Sequence, residues 1–347
     1  MKQTLACSLA VVTSTTLGGD QVWFRIIGPP ASGKTVLADA LTTAREYCLP
    51  RSILTGFHSG FVDMGSKRKK DASLINEINN RTLVMKEGDT LTTAPNKDKL
   101  LAEMRDLWDG SSHAQYRNLV KNDYEGIKTT FILCGTPSLR QLNKSRAGDR
   151  FLDCEIIDEG TDTEEFLNIS MRNTLSQISG GLRQDNNSSD EILDTTPVKA
   201  LTAGYIIYLK ENLSSLKMPS FSKTAETRVK AMANLLALLR ARAERNGDSL
   251  DYRVKAELGT RLTNQFAKLA VCLALVMNKR SIDKEILAIL RKVVRDTGTG
   301  FSQEVVELLK PYGKTGGLST KQIEKTLEIG EGTTRRLLQD MRSFDII

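Results

Sequence analysis

The sequence predicts an α/β protein with a parallel-sheet core in front, a helical region behind it and a small two-helix unit at the end. Three observations carry this. Gly28-Pro-Pro-Ala-Ser-Gly-Lys-Thr35 has the G-x-x-x-x-G-K-[ST] spacing of a phosphate-binding loop and stands between an apolar run and a helical pattern. After it, short apolar runs alternate with helical periodicity as far as about residue 160, and beyond Glu164 the pattern is helical. The tail from Gly316 to Asp340 places two short helical patterns around a turn at Gly330.

Composition narrows the classes of function. At 347 residues the chain is long enough for two or three units with a real core. Its 40% hydrophobic and 26% charged residues are ordinary for a globular protein, and no apolar run reaches the length of a membrane span. Lys2 and the apolar letters of Leu5–Val12 look faintly like a signal peptide, but the run is short and no clear small-residue cleavage site follows. A helix packed on the core of a cytoplasmic protein is the expectation. The five cysteines, Cys7, Cys48, Cys134, Cys154 and Cys272, are odd in number and widely spaced, which predicts buried reduced thiols. With His58 and His113 as the only imidazoles, no zinc-ligand spacing exists and no structural zinc is expected. A net charge of +7 permits a polyanionic partner without requiring one.

The loop supplies the chemistry. Val22, Phe24, Ile26 and Ile27 read as a buried strand entering it and Thr35–Thr43 as a helix leaving it. Gly28 and Gly33 let backbone N–H groups turn inward around phosphates, where the helix also presents its positive end. Lys34 can reach the β- and γ-phosphates, and the Thr35 hydroxyl can ligate Mg²⁺. With Pro29, Ser32 and Val36 these form the cofactor-binding set, and ATP or GTP is the ligand the motif implies.

Ahead of the loop, Gln3–Thr16 has helical spacing and Gly18-Gly19-Asp20 ends it. A second strand is predicted at Arg51–Thr55. The basic stretch Gly65-Ser-Lys-Arg-Lys-Lys70 reads either as a solvated tip or as a loop that sets Lys67 and Lys69 on a phosphate backbone. Thr82-Leu-Val-Met-Lys-Glu-Gly-Asp89 is a short apolar strand ending in acids, as a nucleotide hydrolase needs opposite its phosphate loop. If the strand is Leu83–Met85, Lys86 takes the metal-side position and Glu87 that of the base. One residue further, Glu87 is the metal-side acid and Asp89 the base. Both frames use Glu87.

Leu100, Leu101, Met104 and Leu107 mark one face of a helix over Lys97–Leu107. Tyr116–Gly126 reads as a hairpin turning at Lys121-Asn122-Asp123, with Arg117 and Lys121 near the tip. Lys128–Cys134 is a further strand, and Thr136 follows it at the carboxyl edge, where open α/β sheets bind ligands. Leu139–Phe151 carries Arg140, Arg146 and Arg150 ahead of a strand at Leu152–Ile157. Arg150 either reaches a neighbouring subunit's γ-phosphate or pairs with Asp149 or Asp153.

Helices are predicted at Pro197–Ser214, Lys223–Arg245, Thr260–Met277, Asp283–Asp296 and Ser302–Lys310, with polar breaks at Ser179-Gly-Gly, Gln184–Asp190 and Asn246-Gly-Asp248. Arg261 stands in the first turn of the third. The divisions are 1–160, 161–312 with a polar insertion near 179–196, and 313–347. In the last, helices at Thr320–Leu327 and Gly332–Met341 have helix-turn-helix spacing, and Arg335 and Arg336 on the second suit either a major groove or a protein partner. The sequence stops at Ile347 where a wing strand would begin, which suggests a trimmed chain or a split gene.

In this order the pieces resemble AAA+ ATPases, most closely the ATPase module of MCM-type replicative helicases and helicase-like proteins of phages and integrated elements. Phosphate loop, strand with acids, hairpin, sensor strand Thr129–Thr136, Asp149-Arg-Phe and a helix opening with Arg261 follow that family's order over about residues 1–300. The resemblance implies an AAA+ core, a helical lid and a winged-helix-like end. It implies ATP and Mg²⁺ as cofactors, with Lys34 and Thr35 on phosphate and metal, Glu87 and Asp89 as acids and Thr136 in the first sensor's place, where the family has Asn. Arg150 takes the arginine-finger place and Arg261 that of a second sensor, which this clade often supplies from the neighbour. A homo-oligomeric, hexamer-like ring on single-stranded or forked DNA follows, its channel lined by the hairpin and Lys121. The expected function is an ATP-driven DNA helicase or translocase; the alternative is an ATP-dependent loader, initiator or defence-type switch, which Lys86 favours.

Overall fold

The structure, a computed structural model, describes residues 1–61, 71–118, 120–144, 150–156, 196–241, 258–298, 300–312, 316–344 and 346–347, with isolated positions between 164 and 178 and at 245–246 and 249–250. Lys67, Lys69, Arg146, Asp149 and the polar insertion lie outside these residues. In chain order the core elements are α1 (Lys2–Ser14), β1 (Trp23–Ile27), α2 (Lys34–Thr42), β2 (Cys48–Arg51), α3 (Ile75–Ile78), β3 (Thr82–Met85), α4 (Thr90–Thr93), α5 (Lys97–Asp109), β4 (Ser111–Gln115), β5 (Lys121–Glu125), β6 (Thr130–Gly135) and β7 (Phe151–Glu155). Five of the strands form one parallel sheet in the order β2-β3-β6-β1-β7.

Strand alternation sorts the side chains between two layers. Phe24, Ile26, Val84, Ile132, Cys134, Leu152 and Cys154 face α1, α2 and the later helices. Trp23, Leu83, Met85, Phe131, Leu133 and Phe151 face α5, through the Leu100, Leu101, Met104 and Leu107 stripe read from the sequence. Helix α1 is buried almost all round, and its hydroxyls make that tolerable. Ser8, Thr13 and Ser14 donate to the carbonyls of Thr4, Leu9 and Val11 at 2.7–2.8 Å, so none of these three hydroxyls enters the core unsatisfied.

Helices α6 (Thr196–Asn212), α7 (Lys223–Arg240), α8 (Thr260–Val276) and α9 (Lys284–Thr297) share one continuous apolar cluster with the sheet. The last helices, α10 (Phe301–Leu309), α11 (Thr320–Leu327) and α12 (Glu331–Ser343), close around a separate small core of Val305, Ile323, Leu338 and Met341. All five cysteines are buried free thiols.

Two expectations are corrected. The second strand is Cys48–Arg51, not Arg51–Thr55: it pairs β3 from Cys48↔Thr82 to Arg51↔Met85 and carries Pro50, which an outer strand tolerates because its missing N–H is not needed there. The hairpin ladder closes at Gln115 opposite Lys121, so Lys121-Asn122-Asp123 lies inside its second strand, with Asn122 paired to Ala114. Asn122 is only 7% exposed and its amide donates to Ser59 O and Ser73 Oγ, a distant partnership that overrides its turn preference.

The β7 edge is closed by α9. The Asp153 N–H donates to Thr297 Oγ1 and the Glu155 N–H to the Asp296 carboxylate, both at 2.8 Å, so helix side chains replace a sixth strand.

Candidate nucleotide site and the basic elements around it

Strand β1 delivers the loop to the carboxyl edge of the sheet, between β6 and β7. The Gly28 N–H donates to Gly135 O at 3.1 Å, and a Cβ on Gly28 would lie 2.6 Å from Ile156 Cγ2 and 2.7 Å from Ser32 Oγ. No larger residue fits. Gly33 opens α2 at φ 85°, and Ala31 holds φ 62°, a left-handed conformation that costs a non-glycine residue roughly 1 kcal/mol. Ser32 is buried, whereas Pro29, Thr35 and Val36 are exposed around it.

The Lys34 ammonium donates to Gly28 O at 2.8 Å, Pro29 O at 2.5 Å and Ser32 Oγ at 3.2 Å. Partial burial lowers its pKa, opposed by its neighbours Cys134, Asp89 and Glu87, so the two acids act on the same end of the sheet as the loop. With β3 ending at Met85, the structure selects the first of the two frames: Lys86 comes first after the strand and Glu87 second. Lys86 follows Val84 onto the α2 side and forms an ion pair with Asp39, one turn along α2 from Thr35. Glu87 is exposed. Asp89 is committed elsewhere: its two oxygens accept the Thr136 N–H at 2.8 Å and the Ser138 hydroxyl at 2.5 Å. Because β6 lies between β1 and β3, this carboxylate fixes Thr136 between the loop and the acids.

The loop fits a triphosphate: a glycine cradle, a helix N-terminus and a lysine converge on one point. Of the residues expected at Mg²⁺, Thr35 and Glu87 are exposed, while Asp89 already accepts two hydrogen bonds. That ion is held by one or two carboxylates plus phosphate and water. Asp89 is occupied by two donors, the strand-end position carries an ammonium, and Asp39 is paired with it. Among the described residues no group of three His, Cys, Asp or Glu stands together to hold a metal. No protein-family model matches the chain, and no curated protein matches it in sequence.

Arg150 stands at the other end of the strands. Arg150 precedes β7, parallel to β1, so a strand of five residues, roughly 16 Å, separates it from the level of the loop. Its carbonyl accepts from Gln265 Nε2 at 2.8 Å, and its guanidinium lies 4.0 Å from Asp109. Asp153, one of its expected partners, is instead paired with Arg25 at 2.6 Å. Arg261 is one helical turn before Gln265, and Asn264 reaches Asp20 ahead of β1, so this part of α8 packs at the amino end of the sheet.

The hairpin exposes Arg117 and Lys121. It is tied down on both sides of residues 62–70: His58 Nε2 meets Ser112 Oγ at 2.7 Å, Asn118 donates to Gly60 O at 2.7 Å, and the Tyr124 hydroxyl bonds Asp71. In the C-terminal unit, Ser319 and Gln322 form a capping box, and Glu328 at φ 52° turns the chain from α11 into α12. Arg335 and Arg336 are exposed on α12, with Arg335 paired to Glu331 at 2.5 Å. No helix among the described residues is long and apolar enough to cross a membrane.

Sequence reasoning missed Asp39, Ser138 and the Asp296–Thr297 cap. Asp39 alone carried a local signal, four residues after Thr35 on the loop helix.

Proposed function

We propose that the chain binds ATP at Lys34 and uses it to assemble head to tail on DNA, as an AAA+-type loader, initiator or assembly switch with slow turnover. One relationship carries this reading: the phosphate loop and Arg150 stand at opposite ends of parallel neighbouring strands. A guanidinium at the amino edge is too far to serve its own loop, so it completes a nucleotide held by the next protomer, neutralising phosphate charge with a planar fork of donors. Lys34 and the N–H groups of the loop grip the phosphates, while Asp89 anchors the Thr136 backbone at the same end of the sheet. Arg117, Lys121, Arg335 and Arg336 supply positive charge for the DNA backbone.

Mass measurement in solution tests it. The wild-type chain is expected to form a closed oligomer with a non-hydrolysable ATP analogue and single-stranded DNA, whereas Lys34→Ala and Arg150→Ala stay small. A wild-type chain that remains monomeric under those conditions overturns the proposal.

The motor reading, a ring-forming DNA helicase or translocase, is favoured by exposed Glu87, whose carboxylate is open to act on a water beside the loop. ATP-dependent strand displacement by the assembled protein, lost in Glu87→Gln, would select it.

A further inference from the structure

In the frame the structure selects, the position that would set a carboxylate against the metal and phosphates is held by Lys86, and the carboxylate paired with it, Asp39, stands on the loop helix. The pair is about one-third exposed, at 35% and 31%, and lies one turn from Thr35. An acid at 86 would repel a triphosphate until a divalent cation bridged the two. A lysine neutralised by Asp39 removes that repulsion, and an ammonium has three donors, of which Asp39 engages one. Of the other local acids, Asp89 accepts from Thr136 and Ser138, and Glu87 is exposed to solvent, which screens its charge. We propose that Lys86, held by Asp39, makes triphosphate binding at this loop independent of divalent cations.

The inference rests on the nucleotide reading above, and the experiment separates the two. Binding of N-methylanthraniloyl-ATP is measured by anisotropy in excess Mg²⁺ and in EDTA. The wild-type affinities are expected to agree within about threefold. The double variant Asp39→Lys/Lys86→Asp keeps the ion pair but returns a carboxylate to the end of β3. It is expected to lose at least tenfold in EDTA and to recover with Mg²⁺. Asp39→Asn, which frees Lys86, is expected to bind more tightly than wild type in EDTA. A wild-type chain that itself weakens tenfold or more in EDTA, or a double variant indifferent to Mg²⁺, overturns the proposal while leaving nucleotide binding intact. No binding in either buffer, with wild type indistinguishable from Lys34→Ala, removes the nucleotide reading and this inference with it.

Discussion

The guanidinium of Arg25 meets the carboxylate of Asp153 at 2.6 Å across the β1–β7 ladder, with both side chains excluded from water. Arg25 also donates to Leu139 O at 3.2 Å and lies over the Phe151 ring at 5.5 Å. Breaking such a pair strands a buried charge, so Asp153→Ala is expected to cost about 3–5 kcal/mol in urea unfolding. Replacing both, as Arg25→Met/Asp153→Leu, is expected to recover most of that loss. A single variant as stable as wild type would show that Arg25 finds other compensation.

Asp89 acts on the site through Thr136. Asp89→Ala leaves the half-buried Thr136 N–H and Ser138 hydroxyl without their charged acceptor, a loss of about 1–2 kcal/mol. Nucleotide-dependent assembly is expected to fall further than stability does. Asp89→Asn, which keeps an acceptor for one donor, is expected to restore stability more fully than assembly. Equal rescue of both would argue that Asp89 only supports the fold.

Lys210 predicts a pH response. Burial pushes its pKa down to about 8, with its ammonium over the Tyr47 ring and bonded to Thr16 Oγ1 at 2.9 Å. The unfolded chain therefore binds more protons than the folded one between about pH 8 and the ordinary lysine value near 10.4, and stability rises with pH across that window. Lys210→Met is expected to flatten this slope and to be at least as stable as wild type at pH 7. Thermal melts at intervals of pH measure both.

Arg335 and Arg336 project from α12 with exposed side chains. If they contact phosphates, changing both to Ala reduces the slope of log K against log salt for duplex DNA by roughly two. An unchanged slope would assign the helix to a protein partner.

The parts of this protein legible in the sequence are those encoded by near neighbours. The loop from Gly28 to Thr35, the α5 stripe and the two terminal helices each depend on spacings of a few residues. Pro50 hid β2, because a proline reads as a break until its place on the outside of the sheet is known. Asn122 misplaced the hairpin turn for a similar reason: the groups that bury its amide, Ser59 and Ser73, lie 63 and 49 residues away. Arg25 and Asp153 are 128 residues apart, and Glu155 meets Asp296 across 141, so no window of sequence announces either contact. The choice between the two frames after β3 turned on one residue of strand length, and only the ladder with β6 settles it.

The cap that α9 places on β7 has a consequence for how copies of this chain can meet. One flank of the sheet has its donors occupied by Thr297 and Asp296, and the other carries Pro50, which interrupts any run of donors a visiting backbone would seek. Growth of the sheet from protomer to protomer is thereby discouraged at both borders. Any contact between copies is left to side-chain surfaces, which separate more readily than a shared ladder of backbone hydrogen bonds.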